Sequence, residues 1–358
     1  MINVSEPTIG SVEALLVNEC LTRNRLTQGP MVERFERELA NALGARYVVA
    51  TSSGTTALHL ALVAAGIERG HEVLVPNLTF VATANAVRYC GATPVLVDVN
   101  PFTWCLDPED AAKKVTSSTK AILPVHLYGV PCFMSPILEL ANEHRLWVLE
   151  DAAEGLGGRY ADRALGTLGL AGAFSFYGNK VLTTGEGGAV ATDSETLAER
   201  LRFLRGQAMD PARRYYHPEV GFNYRLTDLQ AALGVAQVSR MQELLRAREA
   251  IFAFYQARLT GSCSMPEVPA AGKQAPWLFT CLVKNRDRVA AYMRARGVDT
   301  RPAFVPLNRL PAYRQPSALF PNSKTIGDHG ISLPTHPGLT RLDLLKVVDV
   351  FQEAISCA

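Results

Sequence analysis

From residue 47 onward the chain alternates short apolar runs with longer stretches in which apolar residues recur every three or four positions. The runs at 47–50, 72–75, 94–99, 121–125 and 146–150 predict strands, and the stretches at 55–65, 81–89, 107–115 and 135–144 predict the helices between them. Strand, helix, strand at this spacing requires right-handed crossovers and a largely parallel sheet buried on both faces. Ahead of it, 11–20 and 31–43 have helical spacing, with Phe35, Leu39 and Leu43 on one face, and predict an N-terminal helical arm. Beyond residue 191 the pattern turns helical again at 194–205. The stretch 227–259 then has few breakers and reads as one long helix. Such a helix commonly leads from one domain into the next, which puts a boundary between residues 247 and 248. Residues 1–247 are then the arm and a large α/β domain with a mostly parallel central sheet. Residues 248–358 are a smaller α+β domain, with a strand at 278–283 and helices at 288–296 and 342–354. The proline-rich stretch 301–321 predicts a surface loop.

Composition narrows the possible partners. A chain of 358 residues with 48% hydrophobic and 20% charged residues and a net charge of +2 is an ordinary globule. It has no basic run to hold nucleic acid or a membrane surface. No apolar segment reaches spanning length, and the N-terminus lacks the pattern of a secretory signal. Its seven cysteines form no CxxC pair, which predicts reduced thiols, a cytoplasmic location and no metal centre. Partners are therefore expected in a pocket, and ligands of such sheets sit beyond the carboxyl ends of the strands.

The residues with chemistry fall at those ends. The run FSFYGNKVLTTGEGGAV, starting at Phe174, sets a single lysine between an apolar strand and a glycine cluster. The chain has eight lysines against twenty-eight arginines, and others, such as Lys113, Lys114, Lys273 and Lys324, lie in polar surroundings. Lys180 alone has a strand before it and Gly185, Gly187 and Gly188 after it, a crowded setting in which the neutral amine becomes accessible as a nucleophile. The run Ser52-Ser53-Gly54-Thr55-Thr56 at a strand-to-helix turn leaves backbone N–H groups free for a phosphate, although such residues also serve simply as helix caps. In Glu150-Asp151-Ala152-Ala153-Glu154 a carboxylate emerging from a buried strand needs a cationic or proton-donating partner. A protonated pyridine, an arginine or a metal would each serve. Phe80, just after a strand, can stack on a planar ring or fill the core. His126 has the same two readings, as a ligand group or as a partner for local backbone. Pyridoxal phosphate needs one of each feature: a lysine amine, a carboxylate opposite its ring nitrogen, and donors for its phosphate. A nicotinamide or nucleotide would leave Lys180 unexplained, and a Rossmann-type binder needs a glycine fingerprint absent here.

At these residues the chain resembles the DegT/DnrJ/EryC1/StrS family of PLP-dependent nucleotide-sugar aminotransferases. The likeness runs from the N-terminal arm nearly to the C-terminus, through SSGTTALHLAL, VPNLTFVATANAV, GATPVLVDV, PVHLYG, EDAAEGLG, SFYGNK, TTGEGG and VGFNYRLTDLQAALG. It implies the type I aminotransferase fold. Carried over residue by residue, it implies that Lys180 condenses with the cofactor's aldehyde and later moves the proton between cofactor and sugar carbon. Asp151 would hold the ring nitrogen, Glu154 would lie near the ring hydroxyl, and Phe80 would cover one face. Gly54, Thr55 and Ser175 would bind the phosphate, with Asn223 reaching in from the other subunit of a homodimer. Arg213, Tyr215 and His217 become candidates for the nucleotide-sugar site, as does Asn308, which stands where family members commonly carry histidine. The substrate implied is a nucleotide-linked 4-keto-6-deoxyhexose, GDP-4-keto-6-deoxy-D-mannose first, aminated at carbon 4 with L-glutamate as donor. A dTDP- or UDP-linked 3- or 4-keto sugar is the alternative, and so is a PLP-binding regulator without turnover. A 3-dehydratase relative would carry histidine at the position of Lys180.

Overall fold

The computed structural model describes residues 1–357. Seven strands form the central sheet: β1 (Tyr47–Thr51), β2 (Glu72–Pro76), β3 (Thr93–Val97), β4 (Thr119–Ile122), β5 (Trp147–Asp151), β6 (Ala171–Ser175) and β7 (Gly188–Thr192). Their spatial order is β1-β7-β6-β5-β4-β2-β3. All run parallel except β7, which is antiparallel to both neighbours. The sheet is buried on both faces, as its near-continuous apolar strands require. Leu74 of β2 joins one core cluster with Phe35 and Phe174, while Val73 and Val75 join the opposite cluster with Leu58 and Leu60.

The helices Ser11–Thr22 and Pro30–Leu43 form the expected N-terminal helical arm. They pack along the helix Asp228–Ser239, where the fully buried Phe35 ring lies against Gly234. Any Cβ at Gly234 would come within 2.6 Å of that ring, so the glycine sets the approach. The single long helix expected at 227–259 is two. Thr227 caps the first, and Arg240 leaves helical geometry (φ −106°, ψ 7°) before Met241–Leu259 begins. No glycine or proline marks the break. The Arg240 side chain bonds instead to Glu13 of the N-terminal helix and to Glu243, and Ser239 Oγ donates back to the Ala236 carbonyl.

A second sheet, in the order Phe279–Leu282, Gly330–Leu333, Arg301–Pro302, has its own core with Tyr255, Val289 and Phe351. A third, small sheet joins Gly272–Lys273, Arg159–Tyr160 and Arg163–Ala164. The stretch 301–321, expected as a surface loop, is only partly one. It starts as the strand Arg301–Pro302, then folds into short 3-10 turns that bury Ala303, Leu307, Asn308 and Phe320 against the large sheet. Among the described residues all seven cysteines are free, no helix is long and apolar enough to cross a membrane, and no cluster of His, Cys, Asp or Glu is placed to hold a metal.

Candidate active site

The parallel strands deliver their functional residues to one cavity of about 430 Å³ at their carboxyl edge. β1 leads into Ser53, Gly54 and Thr55, β2 into Thr79 and Phe80, β5 ends at Asp151 with Glu154 beyond it, and β6 ends at Ser175 before the turn carrying Lys180. Gly54, Thr55, Phe80, Asp151, Glu154, Ser175 and Lys180 thus line the same space.

The lysine is nearly closed off from solvent. Its side chain is 14% exposed, with Nζ 3.6 Å from Glu154 Oε1 and 3.9 Å from the centre of the Trp277 ring. Burial pulls its pKa below the ordinary lysine range, against the opposing charges of Glu154 and Asp151 and with a smaller push from Arg301. Burial also raises Glu154, to about 7, although Lys180 and the Tyr128 N–H, which donates to Oε2 at 2.8 Å, both favour its charged form. Asp151 is raised by burial as well, despite donation from Thr83 Oγ1 (2.8 Å) and the Ala153 N–H (3.2 Å). A carboxyl in that condition becomes firmly ionised only when a cation comes to face it.

At the other end of the cavity the helix Gly54–Ala64 begins. Ser53 caps it, its Oγ accepting from the Thr56 N–H at 3.1 Å, so the reading of this serine as an ordinary cap is correct. The amides of Gly54 and Thr55 make no hydrogen bond among the described residues, and they point out of a positive helix end. A side chain at Gly54 would come within 2.8 Å of Ser175 Cβ. Glycine there keeps the space between helix end and Ser175 open.

One wall of the site was not legible in the sequence. Tyr128 stacks between Trp277 (centroids 6.3 Å apart, planes 11°) and Phe304 (5.6 Å, 12°), and Phe304 meets Phe80 at 5.8 Å. The Phe304 N–H donates to Tyr128 Oη, and burial raises the phenol pKa, keeping it neutral. Arg301 also lines the cavity, and its guanidinium makes no hydrogen bond or ion pair among the described residues. These residues lie up to 224 positions apart in the chain, from Phe80 to Phe304. In the sequence Tyr128 only shares a run with His126, and its positive φ (51°) is seen in the structure alone.

Other candidates lie elsewhere. His126 is fully buried behind β5: its Nδ1 accepts from the Cys132 N–H at 3.2 Å and its Nε2 donates to Glu150 at 2.9 Å. Asn308 does not line the cavity. Asn77 Nδ2 donates to its Oδ1 and its own Nδ2 donates to the Gln315 carbonyl, so its amide ties the 301–321 segment to β2. Asn223 is exposed and outside this cavity, its Oδ1 accepting from Arg225 Nε. Arg213, Tyr215 and His217 are on an exposed loop in which Arg213 covers the Tyr216 ring and His217 Nδ1 lies 2.8 Å from the Gln207 carbonyl.

The sequence profile of the DegT/DnrJ/EryC1/StrS aminotransferase family matches residues 7–352. The chain belongs to this family. Over 99% of its length it is 44% identical to the GDP-perosamine synthase of Caulobacter vibrioides, covering 98% of that protein. It is 38% identical to the dTDP-3-amino-3,4,6-trideoxy-alpha-D-glucose transaminase of Streptomyces venezuelae, over 93% of this chain and 89% of the relative. Among solved structures, Streptomyces venezuelae DesV in complex with a ketimine intermediate superposes with a TM-score of 0.92 at 37% identity, over 95% of this chain and 93% of that one. DegT/DnrJ/EryC1/StrS aminotransferases are PLP-dependent enzymes acting on sugars, and this chain is one of them.

The residues present fit that cofactor. When bound, it supplies an aldehyde that takes up an amine and a ring that draws electron density from the reacting carbon. The open cradle at Gly54, with two free amides and the Ser175 hydroxyl, suits a phosphate. Asp151, buried and in no ion pair among the described residues, suits a protonated ring nitrogen, and Lys180 Nζ has the shielding an amine needs to act in neutral form.

Proposed function

We propose that the enzyme transfers the amino group of L-glutamate to carbon 4 of GDP-4-keto-6-deoxy-D-mannose, giving GDP-perosamine. The observation that carries the chemistry is Lys180: a nearly closed-off amine between Glu154 and Trp277, at the end of the strand beside the one that ends in Asp151. In this reading Lys180 takes and returns the proton at the reacting carbon, and burial keeps its amine ready to accept one. Asp151 holds the ring nitrogen protonated, Glu154 lies at the ring hydroxyl, and Phe80 covers a ring face. Gly54, Thr55 and Ser175 hold the phosphate, and Asn223 of a second copy completes that site in a homodimer. The exposure of Asn223 supports this last role, since nothing in its own chain's cavity needs it.

Arg301, carried by the smaller unit at 248–358, supports a carboxylate-bearing donor, because a cavity guanidinium without an anion calls for one. The GDP-linked 4-keto substrate is supported by whole-length similarity to the Caulobacter vibrioides protein. A dTDP-linked 3-keto sugar is the second reading, supported by the 38% identity to the Streptomyces venezuelae transaminase. Arg213, Tyr215 and His217 are proposed to meet the nucleotide.

Turnover against GDP-, dTDP- and UDP-linked keto sugars, with mass detection of the aminated product, tests the substrate. Amination of the GDP-linked 4-keto sugar ahead of the others is expected. Preference for a dTDP- or UDP-linked sugar would replace this reading with the second.

A further inference from the structure

Asp151 receives a hydroxyl as well as a backbone amide, and the hydroxyl belongs to a pair. Thr79 and Thr83 stand four residues apart around the start of the helix Ala82–Tyr89, both closed off from solvent, yet no side chain caps that helix. Thr83 Oγ1 has three oxygens near it: Asp151 Oδ2 at 2.8 Å, Thr79 Oγ1 at 2.9 Å and the Phe80 carbonyl at 3.1 Å. It has one proton to give. The Phe80 carbonyl already accepts the Thr83 N–H at 3.2 Å, whereas the carboxylate is both the nearest acceptor and the charged one, so the hydroxyl donates to Asp151. Thr79 then donates to Thr83, and the two hydroxyls form a buried chain whose dipoles point at the carboxylate.

A donor on a carboxylate favours its charged form. Against the burial that pushes Asp151 up, Thr83 is the strongest such influence, ahead of the Ala153 N–H and the charge of Lys180. The consequence concerns one proton between two bases. A carboxylate facing a pyridine nitrogen can leave the proton there or take it, and burial favours the uncharged arrangement, acid beside pyridine. We propose that Thr83, by donating to Asp151, keeps that proton on the ring nitrogen of the cofactor, which makes it a positioning residue acting through the carboxylate. This rests on the reading of Asp151 given above.

The test uses the holoenzyme loaded with cofactor carrying nitrogen-15 in its ring, and the cofactor-free protein beside it. In the unaltered enzyme the label is expected to resonate as a pyridinium. Thr83→Val, which keeps the shape and removes the hydroxyl, moves the resonance toward neutral pyridine, and Thr83→Ser holds it in place. Without cofactor, the Asp151 carboxyl titrates at higher pH in Thr83→Val than in the unaltered protein, read by difference infrared spectra against Asp151→Asn. Both half-reactions need the protonated ring as an electron sink, so their rates at saturating substrate fall together by about 10–100-fold in Thr83→Val, with the KM for glutamate within about threefold and recovery in Thr83→Ser. Thr83→Ala serves for the same measurements should the valine variant not fold. An unchanged ring resonance, an unchanged carboxyl titration, or a loss that Thr83→Ser does not repair would overturn this inference alone. A neutral ring nitrogen in the unaltered enzyme would overturn the reading of Asp151 and this inference with it.

Discussion

Glu150 and Glu154 leave the end of β5 four residues apart, both buried, and each faces a nitrogen base: His126 at 2.9 Å and Lys180 at 3.6 Å. Glu150 also accepts from the backbone N–H groups of Gly166, Leu168 and Gly169 at 2.6–2.8 Å, which fills its lone pairs and staples the segment before β6 onto β5. Glu154 accepts one backbone N–H and shares the rest of its charge with Lys180 and the cavity. The first pair is saturated and closed off. The second is under-bonded and open to a ligand, and its carboxyl is raised to about 7. A buried acid–base pair therefore becomes chemical where the fold withholds hydrogen bonds from it, and structural where the fold supplies them all.

The contrast can be broken from either side. Lys180→Ala has the largest expected effect: turnover falls by at least about 10⁴-fold, and borohydride no longer fixes the cofactor to the chain while cofactor still binds. Residual activity within tenfold of the unaltered enzyme would end the assignment. Glu150→Ala is the structural counterpart. It strands three amides and His126, costing roughly 3–5 kcal/mol in denaturant unfolding, and a loss below about 1 kcal/mol would mean that the saturated pair does not hold the strands together.

Glu154→Gln is expected to cut kcat/KM about 10–100-fold while leaving stability at about pH 4.5, where the folded carboxyl is protonated, within about 1 kcal/mol. It should also change the pH dependence of the cofactor-free protein. Glu154 titrates at about 7 when folded and at 4.5 in its ordinary state, so between those values the folded chain holds the extra proton and stability falls as pH rises. Over that window the unaltered protein should lose about 1–3 kcal/mol that Glu154→Gln keeps. Parallel profiles from pH 4.5 to 7 would place the titration elsewhere. The smallest effect expected is that of Trp277→Phe. A weaker ring face under Nζ favours the ammonium less, lowering the Lys180 pKa further in an amine titration of the cofactor-free protein. An upward shift would show that indole shielding, not attraction, dominates there.

Legibility followed distance along the chain. Lys180, Asp151, Glu154 and the Gly54 turn each stand within a few residues of an apolar strand, and a strand end in a parallel sheet has one possible destination. The two-helix form of 227–259 was not readable, because Arg240 breaks the helix through contacts with Glu13 that involve no helix-breaking residue. Nor was the burial of Asn308, whose partner Asn77 is 231 positions away.

The amino-acid order by itself determined the alternating strands and helices, the edge at which a ligand must sit, and the lysine, carboxylate and glycine turn placed there, since each follows from local periodicity and backbone sterics. The tertiary structure alone decided which of two glutamates four residues apart is chemically open, and which aromatic rings wall the site. Those outcomes depend on how many hydrogen bonds distant segments bring to one point, a quantity that no stretch of chain carries alone.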